Sequence, residues 1–216
     1  MGILSASESK SFQQEAGTAI AVIRKKSVME EVLLQVREFA DKAHGQQMRK
    51  YAPDRYIVHP VRVMEILRKY NQSICVLSAA LLHDVLEDTS VREDQIRDFL
   101  HKHLKPHEVD RTVRLVVELT DVYTKSEYPH LNRKARKQRE LERLAKTSAD
   151  AQTIKYADIL DNSQEIVAHD PDFAVVFLKE CRDTLRKLDK GQKEIHQIAL
   201  QAVEQGLKQV PKNTPK

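Results

Sequence analysis

The chain has 216 residues, 31% of them charged, with 36 basic and 32 acidic side chains and a net charge of +4. Five glycines and no tryptophan suit a helix-rich protein, and the length most simply makes one domain with a sizeable core. So even a charge balance gives no reason to expect nucleic acid as a partner, and no apolar run is long enough to span a membrane.

The AIAVI stretch at 19–23 is too short for a secretion-signal core, and its basic residues follow it. Ala6 stands where a myristoylation signal needs Ser or Thr. Cys75 and Cys181 are too few for a disulfide framework and read as reduced, buried and structural. The expected location is cytoplasmic.

Residues 1–26 are polar and weakly patterned, an extension with at most a short helix. Ser27-Val-Met-Glu30 has capping-box form, and Val32, Val36, Phe39, Ala40 and Ala43 follow at helical spacing. A loop rich in polar and aromatic groups fills 45–57. Pro60 suits the first turn of the next helix, carrying Val61, Met64, Leu67 and Tyr70, with His59 at its entrance. Residues 74–86 are apolar on nearly every side until His83, which predicts a central buried helix whose polar end opens into a cavity.

Ser90-Val-Arg-Glu93 then caps a helix, and Pro106 begins another with Val113, Val116, Val117 and Thr120. A loop at 121–131 precedes a basic helix near 132–145. Thr147-Ser-Ala-Asp150 again has capping-box form and opens TIKYADILDNSQEIVAH. Asp170-Pro171 starts the next helix, and Gly191 separates it from a last one ending near 207. There is no internal repeat and no long linker. The predicted fold is all-α, with an extension over 1–26, one helical domain over 27–207 and a flexible tail over 208–216.

The chemistry concentrates in HDVLEDT at 83–89. Placed on one helix, His83, Asp84, Glu87 and Asp88 would cover roughly 140° of its surface. Asp158, Asn162 and Glu165 share another helical face at i, i+4 and i+7. With His59 and Asp158, the pair His83-Asp84 makes a mixed nitrogen and oxygen donor set suited to Mn²⁺, Fe²⁺ or Zn²⁺. Four such ligands leave coordination positions for water and a phosphoryl oxygen, as metal-assisted hydrolysis requires. Taken singly, a histidine at a helix start or an aspartate on an amphipathic helix is more often a surface group. His83 and Asp84 at the end of an apolar helix are different, because burying them unpaired would be costly.

Three segments, HGQQMRKYAPDRYIVHP at 44–60, HDVLEDT at 83–89 and KYADILDN at 155–162, together resemble the HD hydrolase domain of RelA/SpoT homologues. The similarity is greatest to the stand-alone small alarmone hydrolases and covers about 28–207. It implies a single-domain HD-type phosphohydrolase fold in which His59, His83, Asp84 and Asp158 bind Mn²⁺ or another divalent transition metal. Glu87 and Asp88 would orient and deprotonate the attacking water. The implied reaction removes the 3′-pyrophosphate from ppGpp or pppGpp, so the expected partner is a small nucleotide, with neither nucleic acid nor membrane. Arg49 matches a position that stacks on the purine, Lys50 lies beside it facing the phosphates, and Asn162 matches a contact near the ribose.

The basic stretch 132–146 reads foremost as a solvated helix, in which Arg133 and Lys134 are the phosphate contacts to expect. Two positions depart from the family pattern. Ile159 stands where a basic residue is frequent, and Glu165 where threonine is frequent. A carboxylate there would repel phosphate, recognise another feature of the nucleoside, or point into solvent. The departures leave an adenosine alarmone as an alternative substrate, and another HD phosphohydrolase activity, on a nucleoside monophosphate or a deoxynucleoside triphosphate, is the alternative among enzymes. A non-hydrolytic nucleotide-binding regulator is the alternative outside enzymes.

Overall fold

The computed structural model describes residues 6–50, 53–70 and 72–210, with backbone alone for 6–23 and 25. In chain order the helices are α1 (Ala6–His44), α2 (Val58–Arg68), α3 (Ile74–Leu82), α4 (Val85–Asp88), α5 (Glu93–Leu100), α6 (Pro106–Leu119), α7 (Arg133–Leu144), α8 (Ala149–His169), α9 (Pro171–Lys187) and α10 (Lys193–Gln209). Among the described residues the β-type pairing is one isolated bridge between Met48 and Arg55. The all-α expectation is met.

The core is built around α3. Every residue from Cys75 to Leu82 is buried, the state expected of a helix that is apolar all round. It packs against α1, α2, α6 and α8, while α8 lies against α2, α9 and α10. The first turn of α2, the C-terminal end of α3 and the middle of α8 thus meet inside the protein. Cys75 and Cys181 are free and buried. No helix among the described residues is long and apolar enough to cross a membrane.

Four local expectations are corrected. Helix α1 starts at Ala6 rather than at Ser27, so most of the predicted extension is helical and the Ser27 capping box does not form. Residues 6–26 lack an amphipathic pattern but hold no proline and many good helix formers, which suffices for propagation from the packed half. Helix α3 ends at Leu82, and His83-Asp84 occupy a break before α4, with Asp84 at φ −98°, ψ −3°. The acidic pair therefore belongs to a separate turn. Helix α5 begins at Glu93, where the Gln95 side chain accepts the Arg92 N–H at 2.9 Å. Ser148, not Thr147, caps α8 through the Ala151 N–H. Pro60, Pro106 and Asp170-Pro171 sit at helix starts as predicted. Helix α10 reaches Gln209 and Val210 is buried; residues 211–216 of the expected tail lie outside the described residues.

Two glycines have geometric reasons. Gly45 ends α1 in the left-handed region at φ +56°, and its N–H closes on Asp41 O at 3.0 Å. Gly191 lets the α9–α10 connection touch α8: a Cβ there would strike the Tyr156 ring and lie 2.9 Å from Thr153 N. Gly191→Ala is expected to destabilise the fold by about 1–3 kcal/mol through overpacking. Thermal unfolding checks this, and an unchanged Tm would show that the connection moves aside freely.

Candidate metal centre and substrate cavity

His59 is the second residue of α2, His83 and Asp84 fill the break between α3 and α4, and Asp158 lies in mid-α8. Ligand atoms of His59, His83 and Asp84 all lie within 4.8 Å of one another. Asp84 Oδ2 is 3.0 Å from His83 Nε2 and 3.8 Å from His59 Nε2. Asp158 Oδ1 approaches from α8, 3.1 Å from His59 Nε2 and 3.8 Å from His83 Nε2. All four expected ligands converge.

The donor set fits a divalent cation. His59 Nδ1–H donates to Asp161 Oδ2 at 2.7 Å, and His83 Nδ1–H donates to Ala80 O at 2.8 Å. Each bond fixes the tautomer that turns the Nε2 lone pair toward the cluster, the arrangement found around histidine-bound metals. His83 Nε2 is enclosed and makes no hydrogen bond. That orphaned acceptor is what a bound ion would satisfy. Tyr56 OH donates to Asp84 Oδ2 at 2.6 Å, while Lys155 Nζ holds the other oxygen of Asp158 at 2.8 Å.

The electrostatics agree. Burial alone would raise the Asp84 carboxyl, but the His83 imidazole beside it outweighs burial and holds it below the ordinary range. Asp158 is likewise lowered, against burial, by Lys155 and the two histidines. Burial opposes a charge on His59, yet hydrogen bonds to Asp158 and Asp161 prevail and raise its pKa. Ionised carboxylates facing two imidazoles bind positive charge, whether protons or a metal.

Beside this cluster, Glu87 Oε2 accepts the Asp121 N–H at 3.1 Å, and Asp88 Oδ2 accepts from Gln47 Nε2 at 3.2 Å. Burial, reinforced by the Asp121 charge, pushes Glu87 up to about 7. A carboxylate poised there can exchange a proton at neutral pH.

A cavity of about 680 Å³ is lined by Lys155, Asp158 and Asn162 of α8 and by Arg133, Lys134 and Lys137 of α7. Its size suits a nucleotide-sized ligand. Arg133 and Lys134 thus border the same space as a metal-ligand candidate, although Arg133 is paired with Glu180 at 2.7 Å. Ile159 also lines it. Lys50 Nζ and Arg133 Cζ lie 5.3 and 5.2 Å from the Phe173 ring centroid, so Lys50, α7 and α9 meet at one aromatic side chain. Arg49 is held by Asn162 and Glu165 at 3.0 and 2.6 Å. Glu165 does not point into solvent.

Sequence reasoning gave no role to Asp161, Tyr56, Arg62, Gln47, Lys155 or Asp121. Asp161 and Lys155 lie inside KYADILDN, each three residues from Asp158 and so on its helical side. That spacing is the signal which could have found them.

A helical body that gathers imidazoles and carboxylates from a helix start, a helix break and a later helix defines the HD class of metal-dependent hydrolases. The HD domain family matches residues 56–163, and the chain belongs to that family, within its small RelA/SpoT-type branch. It is 31% identical over 178 residues to human guanosine-3′,5′-bis(diphosphate) 3′-pyrophosphohydrolase MESH1, covering 76% of this chain and 92% of the relative. The protein of that name from Drosophila melanogaster is 32% identical over 163 residues, covering 69% and 82%. A solved structure described as a metazoan ortholog of SpoT that hydrolyzes ppGpp superposes with a TM-score of 0.68 at 27% identity, covering 82% of this chain and 96% of that one.

Proposed function

We propose that this protein is a Mn²⁺-dependent hydrolase that removes the 3′-pyrophosphate from guanosine alarmones. Water would cleave the 3′-O–P bond, converting ppGpp to GDP and pppGpp to GTP, with pyrophosphate released. The observation that carries this reading is the convergence of two Nδ1-anchored histidines with Asp84 and Asp158 beside a separate acidic pair. The activity named for the human and fly relatives supports it. The hydrolase domain is taken as 27–207 and its location as the cytoplasm.

His59, His83, Asp84 and Asp158 would hold the ion. When bound, it would acidify a water and neutralise charge at phosphorus. Glu87 receives the water proton, held in place by the Asp121 N–H, and Asp88, fixed by Gln47, orients that water. Asn162 and Arg49 address the nucleoside, and Lys50, Arg133 and Lys134 the phosphates.

The decisive experiment is a screen of divalent metals against nucleotides with product identification. Pyrophosphate and GDP from ppGpp are expected. Orthophosphate from monophosphates, tripolyphosphate from deoxynucleoside triphosphates, or faster cleavage of an adenosine alarmone would each replace the substrate. Binding of ppGpp without cleavage over hours would make the protein a regulator.

A pH profile tests the base separately. Glu87 must be deprotonated to accept a proton, and its raised pKa holds the proton until about 7. A nearby cation lowers that value. Hence kcat/KM should rise with pH along a limb at or below about 7, and a limb well above it would assign the proton transfer elsewhere.

A further inference from the structure

Glu165 shares a face of α8 with Asp158 and Asn162, where a bare carboxylate would oppose a polyanionic substrate. Its side chain is 16% exposed, and its oxygens are divided between two arginines. Oε2 accepts from Arg49 Nη2 at 2.6 Å and Nε at 3.2 Å, and Oε1 accepts from Arg62 Nη2. Arg49 also donates to Asn162 Oδ1 at 3.0 Å, and Asn162 Nδ2 donates to Asp158 Oδ1 at 2.6 Å. On the other side Arg62 grips Asp161 at 2.7 and 3.1 Å, and Asp161 receives the His59 Nδ1–H at 2.7 Å. The circuit leaves one expected metal ligand, His59, and closes on another, Asp158, with Glu165 at its far point.

Within it the two arginines, Arg49 and Arg62, are matched by two carboxylates, Asp161 and Glu165. The Nε–Nη2 edge of a guanidinium is one of the forks that grip a phosphate in two places. In Arg49 a carboxylate already holds that edge. The Arg49 side chain is 9% exposed, and a planar ring stacking on a guanidinium face would not compete with that carboxylate as an anion would. Tyr56 already lies against it, 5.7 Å from Arg49 Cζ to the ring centroid.

We infer that Glu165 is a positioning residue that sets selectivity in the nucleotide site. It fixes and neutralises Arg49 so that this arginine selects for a base, leaving phosphate recognition to Lys50 and the cations that line the cavity from α7. The inference deepens the proposed function and rests on it.

The test measures binding of guanosine and of inorganic phosphate, separately, to metal-loaded protein by calorimetry. Glu165→Gln keeps the shape and removes the charge. Its phosphate affinity is expected to rise about tenfold, from one uncompensated charge a few ångströms away, and to weaken again with added salt. Guanosine affinity should not rise, so the two probes move apart, a pattern that a general loosening of the fold does not produce. Glu165→Thr, which removes the contact altogether, should shift the probes in the same direction. In an Arg49→Gln background the phosphate gain should vanish.

A phosphate affinity within twofold of wild type, a gain that survives without Arg49, or no guanosine binding by the wild type overturns the inference. Cleavage of ppGpp is followed in parallel. Cleavage without the phosphate shift removes the role of Glu165 alone, and the shift without cleavage removes the substrate assignment alone.

Discussion

Asp84→Ala is expected to lose the bound divalent ion and turnover together. Asp84 Oδ2 is the carboxylate oxygen nearest His83 Nε2, and Tyr56 OH donates to that oxygen. Loss of a mere supporting contact around a metal costs about 10–100-fold in affinity, so loss of a ligand should exceed about 100-fold. Elemental analysis after dialysis should find less than about a tenth of wild-type metal, with hydrolysis reduced at least as far. A variant that retained a full equivalent of ion would remove Asp84 from the ligand set.

Glu87→Gln is expected to separate the two properties. The amide oxygen can still accept the Asp121 N–H that the carboxylate accepts at 3.1 Å, so the local structure should persist. An amide cannot take the proton of water. Metal content should match wild type while kcat falls by about 10²–10⁴-fold, the usual contribution of a general base. Undiminished turnover would exclude Glu87 from proton transfer.

Much of this was legible because the chemistry lies in short segments. His83-Asp84 and the Glu87-Asp88 pair stand within seven residues, and the apolar run before them could only be central. Prolines at 60, 106 and 171 mark helix starts by a local rule that tertiary structure rarely overrides. The break at His83-Asp84 was not legible, since no glycine or proline announces it. Packing of α3 and the pull of the cluster on both side chains decide it. Asp161 went unnoticed because its partner, His59 of α2, lies far from it in the sequence and is brought beside it only by the fold. Glu165 was visible as a departure, but its meaning depended on pairing with Arg49 and Arg62, which lie far from it in the sequence. The long start of α1 escaped because periodicity was weighed above intrinsic propensity.

The break between α3 and α4 has an evolutionary consequence. The proposed ion ligands His83 and Asp84 and the proposed base Glu87 sit on successive turns, with the helix interrupted between them. Changes confined to the second turn can therefore silence the catalyst while sparing the receptor. A descendant that lost Glu87 would remain a sensor of the same ligand, reached through one substitution and without rebuilding the core.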